Sequence, residues 1–241
     1  MTLPRFGFVS VHAAPLDDGP GAESRWAALA AASGRAAAHL WRGTPGLIAP
    51  RNCTTLPGWD AASRTHAVRV RASGGGVVPQ GPGVLNLSLV WPVEDSVPGD
   101  TEVIYVALCS ALAAALARLG IAAMPQAVDG SFCDGRFNLA VAGRKLAGTA
   151  QSWRRLGGRP VTLAHAVIIA TADPAALTDA ANAFERDLGS GRHYRADALS
   201  SVALAWQQVH GRPAPADLDA RLVTVLAEQF ARVVPPRTID V

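Results

Sequence analysis

The chain has 241 residues, 49% of them hydrophobic, and a formal net charge of +3. This length and apolar content allow a substantial core, so we expect one α/β domain over residues 1–241. The arginines are scattered and form no basic stripe, which argues against nucleic-acid binding, whereas a mildly basic surface suits an acidic protein partner.

The N-terminal third of the chain predicts short strands and one long helix. Phe6–Val11 alternates like a strand, and alanine-rich Glu23–His39 has the apolar spacing of a helix. A short strand is expected at Leu47-Ile48. The Pro and Gly residues within Asn52–Ser63 predict a loop that connects two elements. His66–Arg71 alternates as a further strand.

A glycine run, Ser73-Gly74-Gly75-Gly76, lies directly between this strand and the predicted strand Val84–Trp91. Without side chains its backbone can approach a ligand closely, and successive N–H groups can form an anion-binding nest. The alternative is a flexible turn. The chain has no Gly-Lys dipeptide, so the run is not a Walker A loop.

Within Val84–Trp91 the polar and apolar residues alternate. Leu85, Leu87 and Leu89 are expected on one face, with Asn86 and Ser88 on the other. The polar face either lines a site or meets solvent.

The remainder of the chain predicts one buried helix, two hairpins and three further helices. Asp100 or Thr101 caps a helix to Leu119, and its uncharged stretch Val103–Ala117 is short for a membrane span. A Gly157-Gly158 turn leads into the strand Val161–Ala170, where His165 shares a face with Leu163 and Val167 and is expected in the core. The last helices are predicted at Pro174–Leu188, Leu199–His210 and Pro215–Val233, and the final one carries an apolar stripe formed by Leu218, Leu222, Val225, Leu226 and Phe230.

The stretch Asp129–Gln151 carries the strongest candidate residues. It predicts a loop with Cys133, a strand, a turn near Gly143 and a return strand in which Lys145 pairs with Ala140. Lys145 is the only lysine among 22 basic residues. A single amine retained in an arginine-rich chain suggests a site that needs a compact ammonium group, and the alternative is a chance survivor on an exposed turn. Cys133 lies too far along the strand to meet Lys145 unless the loop folds back, which the flanking glycines permit.

Three widely spaced cysteines, Cys53, Cys109 and Cys133, form no disulfide framework and no zinc spacing. A reducing compartment is therefore expected. The first residues lack a convincing signal peptide, so we expect a cytoplasmic protein with no membrane association. A monomer is the default expectation.

Several of these segments resemble, in order, the catalytic-domain family of biotin/lipoate protein ligases. The matching stretches are Leu40-Trp41-Arg42 through Arg51-Asn52, Arg71–Val78, Leu85–Ser88 and Asn138–Gln151, and the resemblance covers residues 20–190 approximately. It implies an α/β (α+β) fold with a central mixed, largely antiparallel sheet flanked by helices, and it leaves residues 197–241 as a C-terminal helical extension. It also implies that the glycine loop and the single lysine bind an acyl group. The substrate-binding residues that it implies are Arg71, Ser73, Gly74, Gly75, Gly76, Val77, Asn86, Gly148, Thr149 and Ala150.

Within the family, Gly130-Ser131-Phe132-Cys133 is similar to the cysteine-bearing octanoyl/lipoyl amidotransferases. These enzymes move a medium-chain acyl group between lipoyl carrier proteins through a cysteine thioester. The segment Val78–Pro82 lacks the His-Asp that follows the glycines in the ligases, so we expect no ATP, metal or other cofactor requirement. The resemblance thus implies lipoyl carriers as partners, namely the glycine cleavage H protein and E2 lipoyl domains, and an octanoyl or lipoyl group as cargo.

The implied chemistry is acyl transfer to a lysine in two steps. Cys133 would attack the donor carbonyl, and Lys145 would stabilise the thiolate and the developing negative charge on oxygen. Two alternatives stay open. An ATP-dependent lipoate-protein ligase would use Lys145 to orient an acyl-adenylate, with ATP and Mg²⁺ as cofactors, and a non-catalytic binding module would hold the acyl group or the carrier protein.

Overall fold

The computed structural model describes residues 6, 9–93, 101–133 and 135–231. In chain order the elements are β1 (Val9–Val11), α1 (Gly19–Ser33), β2 (Ala37–Trp41), β3 (Gly46–Pro50), a 3₁₀ turn (Arg51–Thr55), α2 (Trp59–Thr65), β4 (Val68–Arg71), β5 (Val78–Gln80), β6 (Val84–Pro92), α3 (Thr101–Ala117), β7 (Met124–Gln126), β8 (Asn138–Val141), β9 (Arg144–Leu156), β10 (Arg159–Ile169), α4 (Pro174–Leu188), a second 3₁₀ turn (Ala196–Ala198), α5 (Val202–His210) and α6 (Leu218–Phe230).

Two sheets form the frame of the molecule. The larger has the order β1-β2-β6-β10-β9-β8-β7, and the smaller has the order β4-β3-β5. Strands β1 and β2 are parallel, as are β3 and β4, and the other strand pairs are antiparallel. This architecture confirms the expected mixed, largely antiparallel sheet with flanking helices.

The large sheet has two different faces because side chains alternate along its strands. Leu85, Leu87 and Leu89 of β6 point into the main core with α3 and α6. Asn86 and Ser88 point to the opposite face, and both are fully buried. The solvent alternative for that face was therefore wrong, because α1 packs against β6 and β10 there.

The C-terminal helices share the main core. Leu222, Leu226 and Phe230 of α6 are fully buried and belong to the same cluster as the apolar side chains of α3 and β6. The stripe predicted for this helix is thus confirmed as a packing face. Val233, where the predicted helix ends, lies outside the described residues.

The predicted helix Glu23–His39 was wrong at its C-terminal end. Helix α1 ends at Ser33, and its C-cap residue Gly34 has a left-handed φ of 69° and donates its N–H to the Ala30 carbonyl at 2.9 Å. The residues that follow form β2, which pairs with β1 and β6. Alanine has the strongest intrinsic preference for helix, but such preferences are small in free energy, and burial between two strands overrides them here.

The predicted connection Asn52–Ser63 was also wrong in part, since it contains most of the first 3₁₀ turn and the start of α2. Helix α2 has seven residues, too few to show a helical period. The prediction that the glycine run lies directly before the strand Val84–Trp91 was also wrong, because β5 intervenes and pairs with β3 in the small sheet. The predicted cap Asp100 lies outside the described residues.

Over the part of the chain that the structure covers, no helix combines the length and the apolar character that a membrane crossing requires.

Candidate active site

The β8–β9 hairpin places Lys145 as the sequence predicts. Ala142 and Gly143 form the turn with φ values of 49° and 75°. Lys145 pairs with Ala140 across the hairpin, which confirms the predicted register. The lysine is not on an exposed turn, because only 4% of it is accessible to solvent.

The loop before β8 folds back over Lys145. Gly130 and Cys133 both have a left-handed backbone, with φ values of 74° and 52°. The Lys145 ammonium donates hydrogen bonds to the carbonyl oxygens of Phe132 and Cys133, the latter at 3.0 Å. The Asn138 amide donates to the same Cys133 carbonyl at 2.8 Å. These bonds close the distance along the chain that spacing alone left open.

The glycine run meets the Cys133 thiol directly. The Gly76 N–H donates to Cys133 Sγ at 2.9 Å. At Gly75, which has a φ of 101°, a Cβ atom would lie 2.8 Å from Sγ and 3.1 Å from Arg71 Nη2. Only glycine fits this backbone without displacing the thiol or the guanidinium.

Arg71 holds the glycine loop by its carbonyl groups. Its Nη2 donates to the carbonyls of Gly74 and Gly76 at 2.8 and 2.7 Å, and its Nη1 donates to Ile48 at 3.0 Å. Burial lowers the pKa of Arg71, although the nearby Cys133 sulfur acts to raise it. The guanidinium therefore holds the glycine loop through these hydrogen bonds and places positive charge beside the Cys133 thiol.

A second hydrogen-bond network, formed by Tyr194, Glu185, Ser190 and Arg192, lies beside the glycine loop. The Tyr194 hydroxyl donates to Glu185 at 2.7 Å, and Ser190 donates to the other oxygen of this carboxylate at 2.5 Å. Arg192 donates to the Gly75 carbonyl at 3.2 Å. Burial, reinforced by the Glu185 carboxylate, raises the pKa of the Tyr194 phenol. Tyr194 therefore stays a neutral donor at physiological pH.

Cys133 and Lys145 open onto a cavity of about 440 Å³ between the large sheet, α1 and the small sheet. This volume lies within the roughly 300–1,000 Å³ that is typical of small-molecule sites. Its apolar wall is formed by Ile48, Val78, Phe132, Leu163, Val167 and Ile169. The arrangement places a thiol in the wall of a largely apolar cavity.

One wall of this cavity is polar, and the sequence did not reveal it. His165 Nδ1 donates to Glu23 Oε1 at 2.5 Å, and the Ser88 hydroxyl donates to the same oxygen at 2.7 Å. His165 was expected in the packed core, but the face of β10 that it shares with Leu163 and Val167 lines the cavity. The prediction for His165 was wrong because the alternation of side chains along a strand shows which residues share a face, but it does not show what packs against that face.

The structure brings most of the predicted site residues together. Those that line the cavity are Arg71, Ser73, Gly74, Gly75, Cys133, Lys145, Gly148, Thr149 and Ala150. Gly76 contacts the thiol without lining the cavity, and Val77 is buried in a separate core cluster.

Asn86 is not a wall of the cavity either. Its amide forms a reciprocal pair with Gln80, in which Asn86 Nδ2 donates at 2.7 Å and Gln80 Nε2 donates at 3.3 Å. This pair links β5, which follows the glycine loop, to β6 of the large sheet.

The other two cysteines are buried, and neither lines the cavity. Burial raises the pKa of Cys53, and it raises the pKa of Cys109 to about 11. Such thiols stay protonated at neutral pH. Among the residues that the structure covers, no group of three or more His, Cys, Asp or Glu side chains is arranged to hold a metal ion.

Comparison with known proteins places this geometry in a family. The chain is 42% identical to an uncharacterised protein of Cupriavidus necator over 85% of its own length and 86% of that protein. It is 39% identical to the octanoyl-[GcvH]:protein N-octanoyltransferase of Kyrpidia tusciae over 72% of its length, and it spans 64% of that enzyme. The fold is similar to that of a Thermoplasma acidophilum protein solved with bound lipoic acid, with a TM-score of 0.63, 16% identity and coverage of 93% of this chain and 86% of that one.

The model of the lipoyl protein ligase A/B catalytic domain matches residues 31–203, which include the glycine loop, the Cys133 loop and the Lys145 hairpin. On this match, and on the identity to the two relatives, the chain belongs to the lipoyl protein ligase A/B catalytic-domain family.

Proposed function

We propose that the protein is an acyltransferase that moves an octanoyl or lipoyl group to the lysine of a lipoyl carrier protein through a thioester on Cys133. The observation that carries this proposal is the position of the thiol. Cys133 lines the cavity of about 440 Å³, and its Sγ accepts the Gly76 N–H at 2.9 Å. The name of the Kyrpidia tusciae relative supports the same reaction class.

The first step forms the thioester. Sγ of Cys133 bonds to the carbonyl carbon of the acylated donor lysine, the C–N bond breaks, and the donor nitrogen leaves as an amine with the proton that the thiol lost. In the second step the neutral amine of the acceptor lysine bonds to the same carbon. The C–S bond then breaks, and the sulfur regains a proton.

Charge around the thiol assists both steps. The Gly76 N–H and the Arg71 guanidinium stabilise the attacking sulfur as an anion. The buried Lys145 ammonium fixes the backbone that presents Cys133, and its charge stabilises the oxygen on which negative charge develops. Because these donors are held before the substrate arrives, little reorganisation accompanies the reaction.

The proposed reaction needs no nucleotide. The segment after the glycines, Val78–Gln80, forms β5 and contributes neither a carboxylate nor an imidazole that could hold Mg²⁺ with ATP. The Gln80 side chain there is engaged with Asn86. These residues do not fit the phosphate end of a nucleotide, so we derive no step through ATP.

The proposed partners are acidic lipoyl carriers, with the glycine cleavage H protein and E2 lipoyl domains as donor and acceptor. The net charge of +3 favours their approach by long-range attraction. A monomeric, cytoplasmic enzyme remains our proposal.

The test is a search for the covalent intermediate. Incubation with an octanoylated H protein is expected to add one octanoyl group to Cys133, detected by mass spectrometry and removed by hydroxylamine. Cys133→Ser should abolish both the adduct and the transfer. Cys53→Ala and Cys109→Ala are the matched controls, because these two thiols are buried and do not line the cavity, and both variants should keep the adduct.

Other outcomes would support the alternatives. Transfer that survives Cys133→Ser and requires ATP would support a lipoate-protein ligase. Acyl binding without transfer in either assay would support a non-catalytic binding module.

A further inference from the structure

Tyr194 is buried between the two loops that meet at the thiol. Its hydroxyl faces the glycine loop, since a Cβ atom at Gly76 would lie 2.7 Å from Tyr194 Oη and 3.4 Å from the Cys133 backbone nitrogen. Its ring packs edge-on against the ring of Phe132, with the two centroids 5.0 Å apart. Gly76 donates the hydrogen bond to Sγ, and Phe132 directly precedes Cys133. One buried side chain therefore contacts the loops on both sides of this hydrogen bond.

Helix α4 holds Tyr194 at its backbone and at its hydroxyl. The Asn182 amide donates to the Tyr194 carbonyl at 2.9 Å and accepts the Tyr194 N–H at 2.8 Å. Glu185, one turn further along the same helix, accepts the hydroxyl at 2.7 Å. Glu185 is only 1% exposed, and its second oxygen accepts the Ser190 hydroxyl at 2.5 Å. Residues spaced in this way share one face of a helix, so both contacts come from the same rigid surface.

The two peptide groups that flank Gly76 are held by residues outside the glycine loop. The carbonyl of Gly75 accepts Arg192 Nη1 at 3.2 Å, and in a planar trans peptide the N–H of the next residue points the opposite way. The backbone of Val77 forms a hydrogen bond with the Tyr194 hydroxyl. Gly75 has a φ of 101°, and without a side chain its backbone rotates at little steric cost. The direction of the Gly76 N–H therefore depends on these contacts.

We propose that Tyr194 is a positioning residue for Cys133. Its hydroxyl and its ring fix the spacing between the two loops, so that the Gly76 N–H stays directed at the sulfur and stabilises the sulfur anion. Glu185 acts through Tyr194 by holding the hydroxyl. Tyr194 does not line the cavity, so this role is separate from contact with the acyl group. The inference rests on the proposed function, in which the Cys133 anion is the nucleophile.

The direct test is the rate at which iodoacetamide alkylates Cys133 in the full chain without a carrier protein, with the modified residue located by mass spectrometry. At neutral pH, Tyr194→Phe should lower this rate about tenfold, because a weaker hydrogen bond from Gly76 leaves less of the thiol ionised. At about pH 10 the thiol is ionised in both proteins, and the variant should react at least as fast as the wild type. Burial and the Glu185 carboxylate raise the pKa of Tyr194, so its hydroxyl stays protonated over this range. Equal rates at neutral pH, or an equal loss at both pH values, would overturn the proposal.

Thr178→Val separates positioning from a general loss of stability. Thr178 is buried on the same helix, and its hydroxyl donates to the Pro174 carbonyl at 2.8 Å. Thr178→Val and Tyr194→Phe each remove one buried hydroxyl, so both should lower the free energy of unfolding, measured by urea denaturation. Only Tyr194→Phe should slow the alkylation of Cys133 at neutral pH. A similar slowing in Thr178→Val would assign the effect to α4 as a whole and contradict the proposal.

Variants of Glu185 test whether this carboxylate acts through the tyrosine. Glu185→Gln keeps an oxygen that accepts the hydroxyl, so the alkylation rate should stay within about threefold of the wild-type rate. Glu185→Leu removes the acceptor and should slow alkylation about as much as Tyr194→Phe does. Because both changes break the same contact, the double variant should be no slower than either single variant. Additive losses would show that Glu185 acts independently and would refute the assigned pairing.

A transfer assay separates this inference from the proposed function. With an octanoylated carrier, kcat/KM of Tyr194→Phe should fall about tenfold, while the affinity for the carrier stays within about twofold of the wild-type value. Wild-type rates of both transfer and alkylation in this variant would refute the positioning role while the thioester mechanism stands. Slower alkylation of the variant, in a protein whose wild type transfers no acyl group, would refute the mechanism and leave the positioning of the thiol intact.

Discussion

At the scale of single residues, backbone groups hold the Cys133 thiol in place. The Gly76 N–H donates to the sulfur, and the Cys133 carbonyl is fixed by Lys145 and Asn138. Cys133 itself has a φ of 52°, a conformation that costs about 1–3 kcal/mol for a residue other than glycine. Strain at a residue held by so many bonds is typical of a functional site, which is consistent with the proposed nucleophile.

Gly75→Ala is expected to reduce transfer by about a hundredfold, because the added Cβ would lie 2.8 Å from Sγ and would displace the thiol by up to about an ångström. The measurement is kcat/KM with an octanoylated carrier. Gly74→Ala is the comparison within the same loop, since a Cβ there meets nothing within 4 Å, and we expect it to retain at least about ten times the activity of Gly75→Ala. Equal activity of the two variants would contradict the assigned contact.

Lys145→Met is expected to lower kcat/KM by about a hundredfold to a thousandfold, the usual cost of losing a charged donor beside a developing oxyanion. It should also lower the free energy of unfolding by about 1–3 kcal/mol, because the carbonyls of Phe132 and Cys133 lose a buried donor. Chemical denaturation measures the second effect. The neighbouring Arg144 is exposed, so Arg144→Ala should change neither quantity appreciably. A Lys145→Met variant with wild-type rate would exclude a role for the ammonium group.

At the scale of elements, α1 and β2 are joined by a stacked aromatic pair. Trp26 of α1 lies parallel to His39 of β2, with ring centroids 3.9 Å apart. Burial, with a smaller contribution from the charge of His12, lowers the pKa of His39 to about 4. The folded protein therefore holds this imidazole in its neutral form.

The stability of this packing should depend on pH. The unfolded chain binds a proton at His39 near pH 6.5 and the folded chain near pH 4, so stability is complete above 6.5 and declines as pH falls through that window. The loss from this residue is on the order of 3 kcal/mol. His39→Gln should flatten the dependence of unfolding free energy on pH between those limits, measured by urea denaturation. An equally steep dependence in the variant would assign the effect to other groups.

At the scale of the whole molecule, the C-terminal helices are part of the main core. Leu222 of α6 is fully buried among side chains of the sheet and α3. Leu222→Ala should lower the free energy of unfolding by about 2–5 kcal/mol in a single cooperative transition. Arg221→Ala, one residue earlier on the exposed side, should shift it by less than about 0.5 kcal/mol. Two separate transitions in the Leu222 variant would instead indicate an independently folding extension.

From the sequence by itself, the resemblance of several motifs to a known family indicated the family and the largely antiparallel sheet. Local patterns determined the hairpin that pairs Lys145 with Ala140 and the apolar stripe of α6. The hairpin and the stripe depend on short-range patterns, since alternation, helical period and turn glycines act within a few residues of one another. The sequence did not locate the end of α1, because the strand partners that override alanine preference lie far along the chain.

Tertiary structure alone decided what each strand face meets. Glu23 and His165 are 142 residues apart, and no local pattern connects them, yet their contact defines the polar wall of the cavity. In the same way, a loop of glycines and a loop with a cysteine meet only after the two sheets have packed together. The arrangement of the site thus depends on contacts between residues that are distant in the sequence. These contacts form only when the whole core is packed, so no single segment of the sequence predicts them.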